Sequence, residues 1–415
     1  MKILYLTQYF FTPDQAGGGR HFYHVKHLVS QGHQVDVLTT YVEDHMSRVI
    51  PEKYRGKLSV LEYLEGIRVY KTYATANYGQ GFWDRMKNYL SFMFSAILVG
   101  LGIKGRYDVV FASSPSLFVG LAGYILAVFK RGKFVLEVRD LWPQSAIELG
   151  FLKNPFFIYL AKRLEKFLYR KAKAIVALTE GMKEAVCKTI KDQDKVTLII
   201  NGVDEDIFRN PEPVDFNKIS GLEHKFIAIY VGAHGVNNDI ETIIKAASFL
   251  RDQPDIHFVF IGGGDHKENL IKLCEEQDLQ NVLFLPPRPK QKIASYLTGA
   301  DVCLLAIKKG RFFNGTLPNK LFDYLASGRP IVATVPPEGE SARAILKLKA
   351  GIVCDPEDGI QMAEAILRVY KNQEHFQALG TEVKRYALEK YSRYRLAKEL
   401  ESVLKKVGAG RKGWK

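Results

Sequence analysis

The stretch from Asp301 to Thr334 constrains the fold more than any other. An apolar strand, Asp301–Ala306, enters a polar loop. A helix follows, with Leu321, Phe322, Leu325 and Ala326 on one face and a stop at Gly328, before a second strand at Ile331–Thr334. Strand, loop, helix and strand in that order make a βαβ crossover, the unit from which parallel sheets are built. Parallel sheets bind ligands outside the carboxyl ends of their strands, where helix N-termini present free N–H groups. Lys308, Lys309, Arg311 and Lys320 crowd this loop and suit a phosphate. Asp323 lies one helical turn in, where a carboxylate can accept hydrogen bonds from sugar hydroxyls. An ordinary crossover with a solvated basic loop would read the same way, so the stretch alone does not decide.

The same alternation opens the chain. Lys2–Thr7 reads as a buried strand, Gly17-Gly18-Gly19-Arg20 as a turn, His21–Gln31 as a helix and Gln34–Thr40 as a second strand. The glycines are not GxGxxG, and no acidic ribose ligand ends the second strand, so dinucleotide binding is not expected. They let the backbone approach a ligand, or they form a flexible turn. Further strands at 66–74, 108–112, 133–138, 174–178 and 196–200 alternate with helices at 88–103, 117–129 and 155–171. The strand at 133–138 ends in Arg139-Asp140-Leu141-Trp142-Pro143, a charged pair at a strand's carboxyl end. Asp140 suits an acceptor hydroxyl, or it caps the next turn.

Past Asn201-Gly202-Val203-Asp204, a segment with Pro211, Pro213 and Gly221 has few apolar residues and marks a domain boundary. Strands resume at 226–231, 257–261, 281–285 and 351–354, besides those above. Their loops carry Gly232 to Asn238 with His234, Gly262-Gly263-Gly264, and Leu285 to Arg288. The expected domains are residues 1–200, joined by a returning helix at about 390–406, then residues 201–389, and a basic tail at 407–415.

The length of 415 residues allows two or three domains, and the net charge of +14 favours a polyanionic or anionic-surface partner. No zinc-finger spacing or RNA-binding signature speaks for nucleic acid, whereas anionic lipid and nucleotide diphosphates fit. Cys187, Cys274, Cys303 and Cys354 are scattered, which argues for reduced thiols rather than a disulfide frame or zinc site. The amino terminus reads as a strand rather than a leader. The apolar helix at 88–103 falls short of the ~20 residues a spanning helix needs, leaving a core or interfacial helix. The basic amphipathic helix at 155–171 faces solvent or a membrane.

This order of motifs resembles the retaining glycosyltransferases of GT-B fold in the large nucleotide-sugar family 4. The likeness lies in the Gly17–Gly19 turn, Asn201–Asp204, the strand end Tyr230–Gly232, Gly262–Gly264, and Asp301 ahead of the helix ending ASGRPIV. Within that family the chain is similar to bacterial O-antigen and capsule transferases through Arg139–Pro143, and an N-acetyl-fucosamine transferase subgroup is the nearest in pattern. The resemblance implies two Rossmann-like α/β domains facing each other across a cleft. It implies transfer of an N-acetylated or deoxy-hexosamine from a UDP-sugar to a polyprenyl-diphosphate-linked or other glycan acceptor. It also implies a cytoplasmic enzyme peripherally associated with the cytoplasmic membrane.

In that reading Asp323 holds the ribose, and Asn314, Leu317, Pro318, Asn319 and Lys320 receive the diphosphate. Gly232, His234, Gly262, Gly263 and Leu285 line the rest of the donor site, with Gly18 and Gly19 at its edge. Gly17, Arg20, Arg139 and Trp142 take the acceptor, while Asp140, Arg288 and Lys308 act in catalysis. No cofactor beyond the nucleotide-sugar co-substrate is implied, and no metal. Asp204-Glu205-Asp206 matches a DxD pattern but sits in the hinge, where it is read as loop solvation.

The chain departs from the family at two places. The first glutamate of its EX7E pair falls on Gly315, and the usual Arg and Lys after the first strand of the second domain are replaced by Ala233 to Asn238. Two other readings therefore stand beside it: a non-hydrolysing UDP-sugar epimerase and a non-catalytic subunit of a polysaccharide-assembly complex.

Overall fold

A computed structural model describes residues 1–13, 15, 19–41, 50–75, 82–114, 116–148, 150–235 and 238–409. The chain divides into two compact units, Met1–Ile200 with Arg393–Lys415, and Asn201–Ser392. Each unit is a doubly wound α/β domain.

In the first unit the strands are β1 (Lys2–Thr7), β2 (Gln34–Thr40), β3 (Ser59–Leu64), β4 (Ile67–Thr72), β5 (Val109–Ser114), β6 (Lys133–Val138), β7 (Ala174–Ala177) and β8 (Val196–Leu198). They form one sheet in the order β3-β4-β2-β1-β5-β6-β7-β8. All pairings are parallel except β3 with β4. The central strands are apolar runs because both faces are covered. Ile3 and Tyr5 pack against helix α1 (Arg20–Ser30) and the returning helix Arg393–Gly408, through Val25, Leu28, Leu396 and Leu400. Leu4 and Leu6 face the other way, toward α2 (Phe82–Gly102), α3 (Leu117–Phe129) and Leu168 of a later helix. Each fully buried side chain of this kind contributes ~1.5–3 kcal/mol.

Two elements differ from the sequence expectation. β3 was not anticipated; it is an edge strand whose residues alternate between exposed and half-buried, so its apolar pattern is weak. It pairs with β4 through a tight turn at Glu65-Gly66, both at positive φ, as two-residue hairpins require. Helix α2 begins six residues early and is 21 residues long, so its length does not argue against spanning a bilayer. Its composition does, since no described helix is long and apolar enough to cross a membrane. Phe92 and Ala96 are buried while Phe94 and Leu98 are exposed, the signature of a surface-packed helix. After β6 come the short α4 (Gln144–Glu148) and the basic α5 (Pro155–Lys171), capped by Asn154.

The second unit has β9 (Phe226–Val231), β10 (Ile256–Ile261), β11 (Val282–Leu285), β12 (Val302–Ala306), β13 (Ile331–Thr334) and β14 (Gly351–Cys354). Their order is β11-β10-β9-β12-β13-β14, parallel throughout. Helices Ile240–Phe249 and Gly359–Lys371 cover one face with Ile243, Ala247, Met362 and Ile366. The strand order reverses between β1 and β5 in the first unit and between β9 and β12 in the second. Open parallel sheets bind ligands at the carboxyl side of such a reversal.

Candidate functional site

At the second unit's reversal, the loop after β12 leads into the nine-residue helix Asn319–Ser327. Pro318 precedes it in extended conformation, and no side chain caps its first amides. Such an N-terminus carries a partial positive charge and unpaired donors. Tyr324 anchors the helix to β9, its hydroxyl accepting from the amide of Val231 at 3.0 Å. One turn earlier, Lys320 is thereby laid over the ring of Tyr230, its ammonium 4.2 Å from the ring centre. That ammonium donates to the Tyr230 hydroxyl at 2.6 Å and to Asn238 Oδ1 at 3.1 Å. Among the described residues no carboxylate forms an ion pair with it. Burial pushes its pKa down to about 7, so the site holds a cation at a cost that a bound anion would offset.

The loops after β9 and β10 close on one another backbone to backbone. Gly262 lies at φ +155°, and a Cβ there would stand 1.9 Å from the carbonyl oxygen of Gly232. The His234 amide donates to the Gly263 carbonyl at 2.8 Å. Its ring lies among Tyr230, Phe260 and Phe284. Both of its ring nitrogens are buried without a hydrogen-bond partner. Burial, reinforced by Lys267 and Lys320, lowers its pKa to about 4 and keeps it neutral. Lys267 donates to the carbonyls of Gly262 and Leu285, both at 3.2 Å. Gly232, His234, Gly262, Gly263, Leu285 and Lys320 are thus joined in one contact network.

The other donor-side residues lie on the loops and helices that flank that network. Asp323 is already ion-paired with Lys290 at 3.3 Å, so a ribose would have to share or displace that cation. Arg288 is solvent-exposed in the loop Pro286–Pro289. Lys308 is half-buried and acts electrostatically on Asp239. Asn314 ends the short helix Arg311–Asn314, and Leu317 and Pro318 lead from it to Asn319. Sequence reasoning missed Tyr230, Asn238, Lys290 and Tyr324 as site residues. The tyrosines look like core aromatics in apolar runs, and only their hydroxyl partners reveal them.

Beside the first unit's reversal, a buried polar chain runs from the end of β6 to Tyr5 on β1. The Arg139 guanidinium, which can only donate, gives a hydrogen bond to His21 Nε2 at 3.1 Å. Burial, with Arg139 and Arg20 adding to it, pushes the His21 pKa far down. A neutral His21 then carries its proton on Nδ1, which lies 2.7 Å from the Tyr5 hydroxyl. That hydroxyl turns its own proton to His24 Nδ1 at 3.2 Å. Arg139 is held in place, with Nε buried and unpartnered. Asp140 accepts from Ser145 Oγ at 2.9 Å. Burial raises its pKa, opposed by Ser145, the Leu141 amide and Arg139. Trp142 packs edge-on against Phe118, ring centres 6.3 Å apart.

Arg20 has a different task from the one expected of it. It is buried against Glu137 at 2.8 Å and also donates to the carbonyls of Ile199 and Ile200, so its guanidinium braces the sheet instead of reaching an acceptor. Gly17 and Gly18 lie outside the described residues; Gly19 is the N-cap of α1. Glu137, inside the apolar run of β6, was the sequence signal for this network.

Two Rossmann-like domains, each with polar side chains gathered at the carboxyl ends of its parallel strands, define a chain of GT-B architecture. Residues 16–207 match the model of Glycosyltransferase Family 4, and residues 213–386 match that of Glycosyl transferases group 1. The probable glycosyltransferase WbjE of Pseudomonas aeruginosa is 26% identical over 66% of this chain and 69% of its own length. WcaI of Escherichia coli K12, ascribed to colanic acid biosynthesis as a glycosyl transferase, is 24% identical over 63% of this chain and 65% of its own. Both alignments therefore take in about two thirds of the relative. HepE of Anabaena, solved in complex with UDP-glucose, superposes with a TM-score of 0.69 at 14% identity, covering 98% of this chain and 100% of that one. The chain is a glycosyltransferase of the group 1/family 4 type, related to bacterial glycosyltransferases of polysaccharide biosynthesis.

Proposed function

We propose that the protein transfers a sugar from a UDP-sugar to a polyprenyl-diphosphate-linked glycan in cell-surface polysaccharide synthesis. The observation that carries this reading is Lys320, whose ammonium lies against Tyr230 with no carboxylate partner among the described residues, beside a helix N-terminus that no side chain caps. A diphosphate supplies the missing negative charge. The UDP-glucose in the HepE complex favours UDP as the nucleotide. Amide dipoles and Lys320 stabilise the charge that develops on the departing diphosphate, the kind of donor whose loss typically costs ~3 kcal/mol of barrier. His234 offers an unused ring nitrogen to the same ligand. Asp140, its pKa raised by burial, and Arg139 serve the acceptor at the end of β6. Retention of configuration follows if the leaving phosphate takes the acceptor's proton on the same face.

The test is thermal unfolding of the full chain against a panel of nucleotide sugars. A ligand at a hundred times its dissociation constant adds ~2.7 kcal/mol of stability. A UDP-sugar should stabilise wild type by that amount and Lys320→Met by less than about 1 kcal/mol. No stabilisation by any nucleotide sugar would refute the donor site.

A further inference from the structure

We propose that a cavity of about 350 Å³ in the first unit holds the leading isoprene units of the acceptor's lipid; the inference rests on the lipid-linked acceptor proposed above. The cavity lies among α2, α3, α5 and the loop after β6, and Trp83, Leu90, Phe118, Trp142, Phe157 and Leu160 are among its walls. Every lining residue is apolar, and an apolar cavity does not hold water well. Its size falls within the range of small-molecule sites.

Two independent observations choose the occupant. First, the exposed large apolar side chains among the described residues concentrate on these same helices, including Phe94, Leu98, Phe129, Phe156 and Tyr159. A patch of that kind marks an interaction surface rather than an ordinary wet face. Second, the charge is right for a diphosphate head. Lys162, Arg163, Lys166 and Arg170 are exposed on α5. Arg139, half-buried at the end of β6, stands three residues before Trp142 on the same loop. A head held by Arg139 is three residues along the chain from Trp142, which walls the cavity. Each CH₂ buried there multiplies affinity by about four.

The experiment titrates the full chain with farnesyl diphosphate, followed by tryptophan fluorescence, with inorganic pyrophosphate as the head-only control. Farnesyl diphosphate should bind at least about 100-fold tighter than pyrophosphate, the gain expected from a few buried CH₂ groups. Leu160→Asp, at a partly exposed wall position, and Ala161→Phe, which fills the space, should each weaken farnesyl diphosphate at least about tenfold and leave pyrophosphate unchanged. Equal affinity for the two probes would overturn the assignment, as would wild-type binding by a folded Leu160→Asp. Displacement of farnesyl diphosphate by phosphatidylglycerol vesicles free of prenyl lipid would also overturn it, making the face a bilayer dock. The nucleotide-sugar melts run on the same proteins keep the two readings apart. If donor stabilisation persists while the farnesyl arm fails, only the cavity assignment falls. Absence of donor stabilisation removes the transferase site whatever farnesyl diphosphate does.

Discussion

Replacing Lys320 with methionine should make the protein more stable and worse at binding its donor. Burial lowers the ammonium's pKa from 10.5 to about 7. At ~1.4 kcal/mol per unit, keeping it charged costs on the order of 4–5 kcal/mol. The sign follows from proton counting. Between pH 7 and 10.5 the unfolded chain holds the proton and the folded chain does not, so wild-type stability rises with pH across that window. Below pH 7 both states are protonated and the whole cost is present. Methionine keeps the stem and removes the charge, so at pH 6 the second unit should melt at least ~4 °C higher, at ~2–4 °C per kcal/mol for a unit of this size. The same substitution deprives a bound diphosphate of a buried cation, a loss of ~2–5 kcal/mol or at least ~30-fold in affinity. A diphosphate that binds the protonated form also makes affinity pH-dependent. From pH 7 to 9, wild type should lose up to ~tenfold in UDP-sugar affinity per pH unit, and Lys320→Met should not. Calorimetric titration at pH 6, 7, 8 and 9 checks this. A variant with wild-type affinity and the same pH slope would refute the reasoning.

Three further outcomes are expected. His234→Phe keeps the contacts with Phe260 and Phe284 and breaks no side-chain hydrogen bond, so its melting should stay within ~1 kcal/mol of wild type while donor turnover falls at least tenfold; parallel melts and a turnover assay measure both. Asp140→Asn should leave UDP-sugar binding intact and lower transfer on the order of 10²-fold by loosening the hold on the acceptor hydroxyl, and the acid limb of the wild-type rate, set by a carboxyl raised above its ordinary range, should be lost. Arg20→Met strands Glu137 in the core and should cost ~3–5 kcal/mol in urea unfolding, whereas Arg20→Met with Glu137→Leu should recover most of it.

Much of the fold could be read from residue order because its central strands are covered on both faces. KILYLT, FIAIYV and VCLLA can bury every side chain only inside a parallel sheet, and turn-forming glycines and polar loops separate them from helices. β3 escaped because an edge strand buries only part of each side chain. The start of α2 escaped because Trp83 and Met86 sit among charges that blur the apolar stripe. At the site, the chemical types were visible but their duties were not. Arg20 and Arg139 look equivalent on paper, yet one is spent on Glu137 and the other keeps an unused buried nitrogen.

By itself, then, the sequence determined two βαβ-built units and the loops at which their strands end, since backbone pairing and apolar period act over short stretches of chain. Only the tertiary structure decided which charges have partners. Lys320 meets Tyr230 across 90 positions and Arg20 meets Glu137 across 117. The dielectric around an ammonium is set by everything folded over it, and no local pattern of residues encodes that.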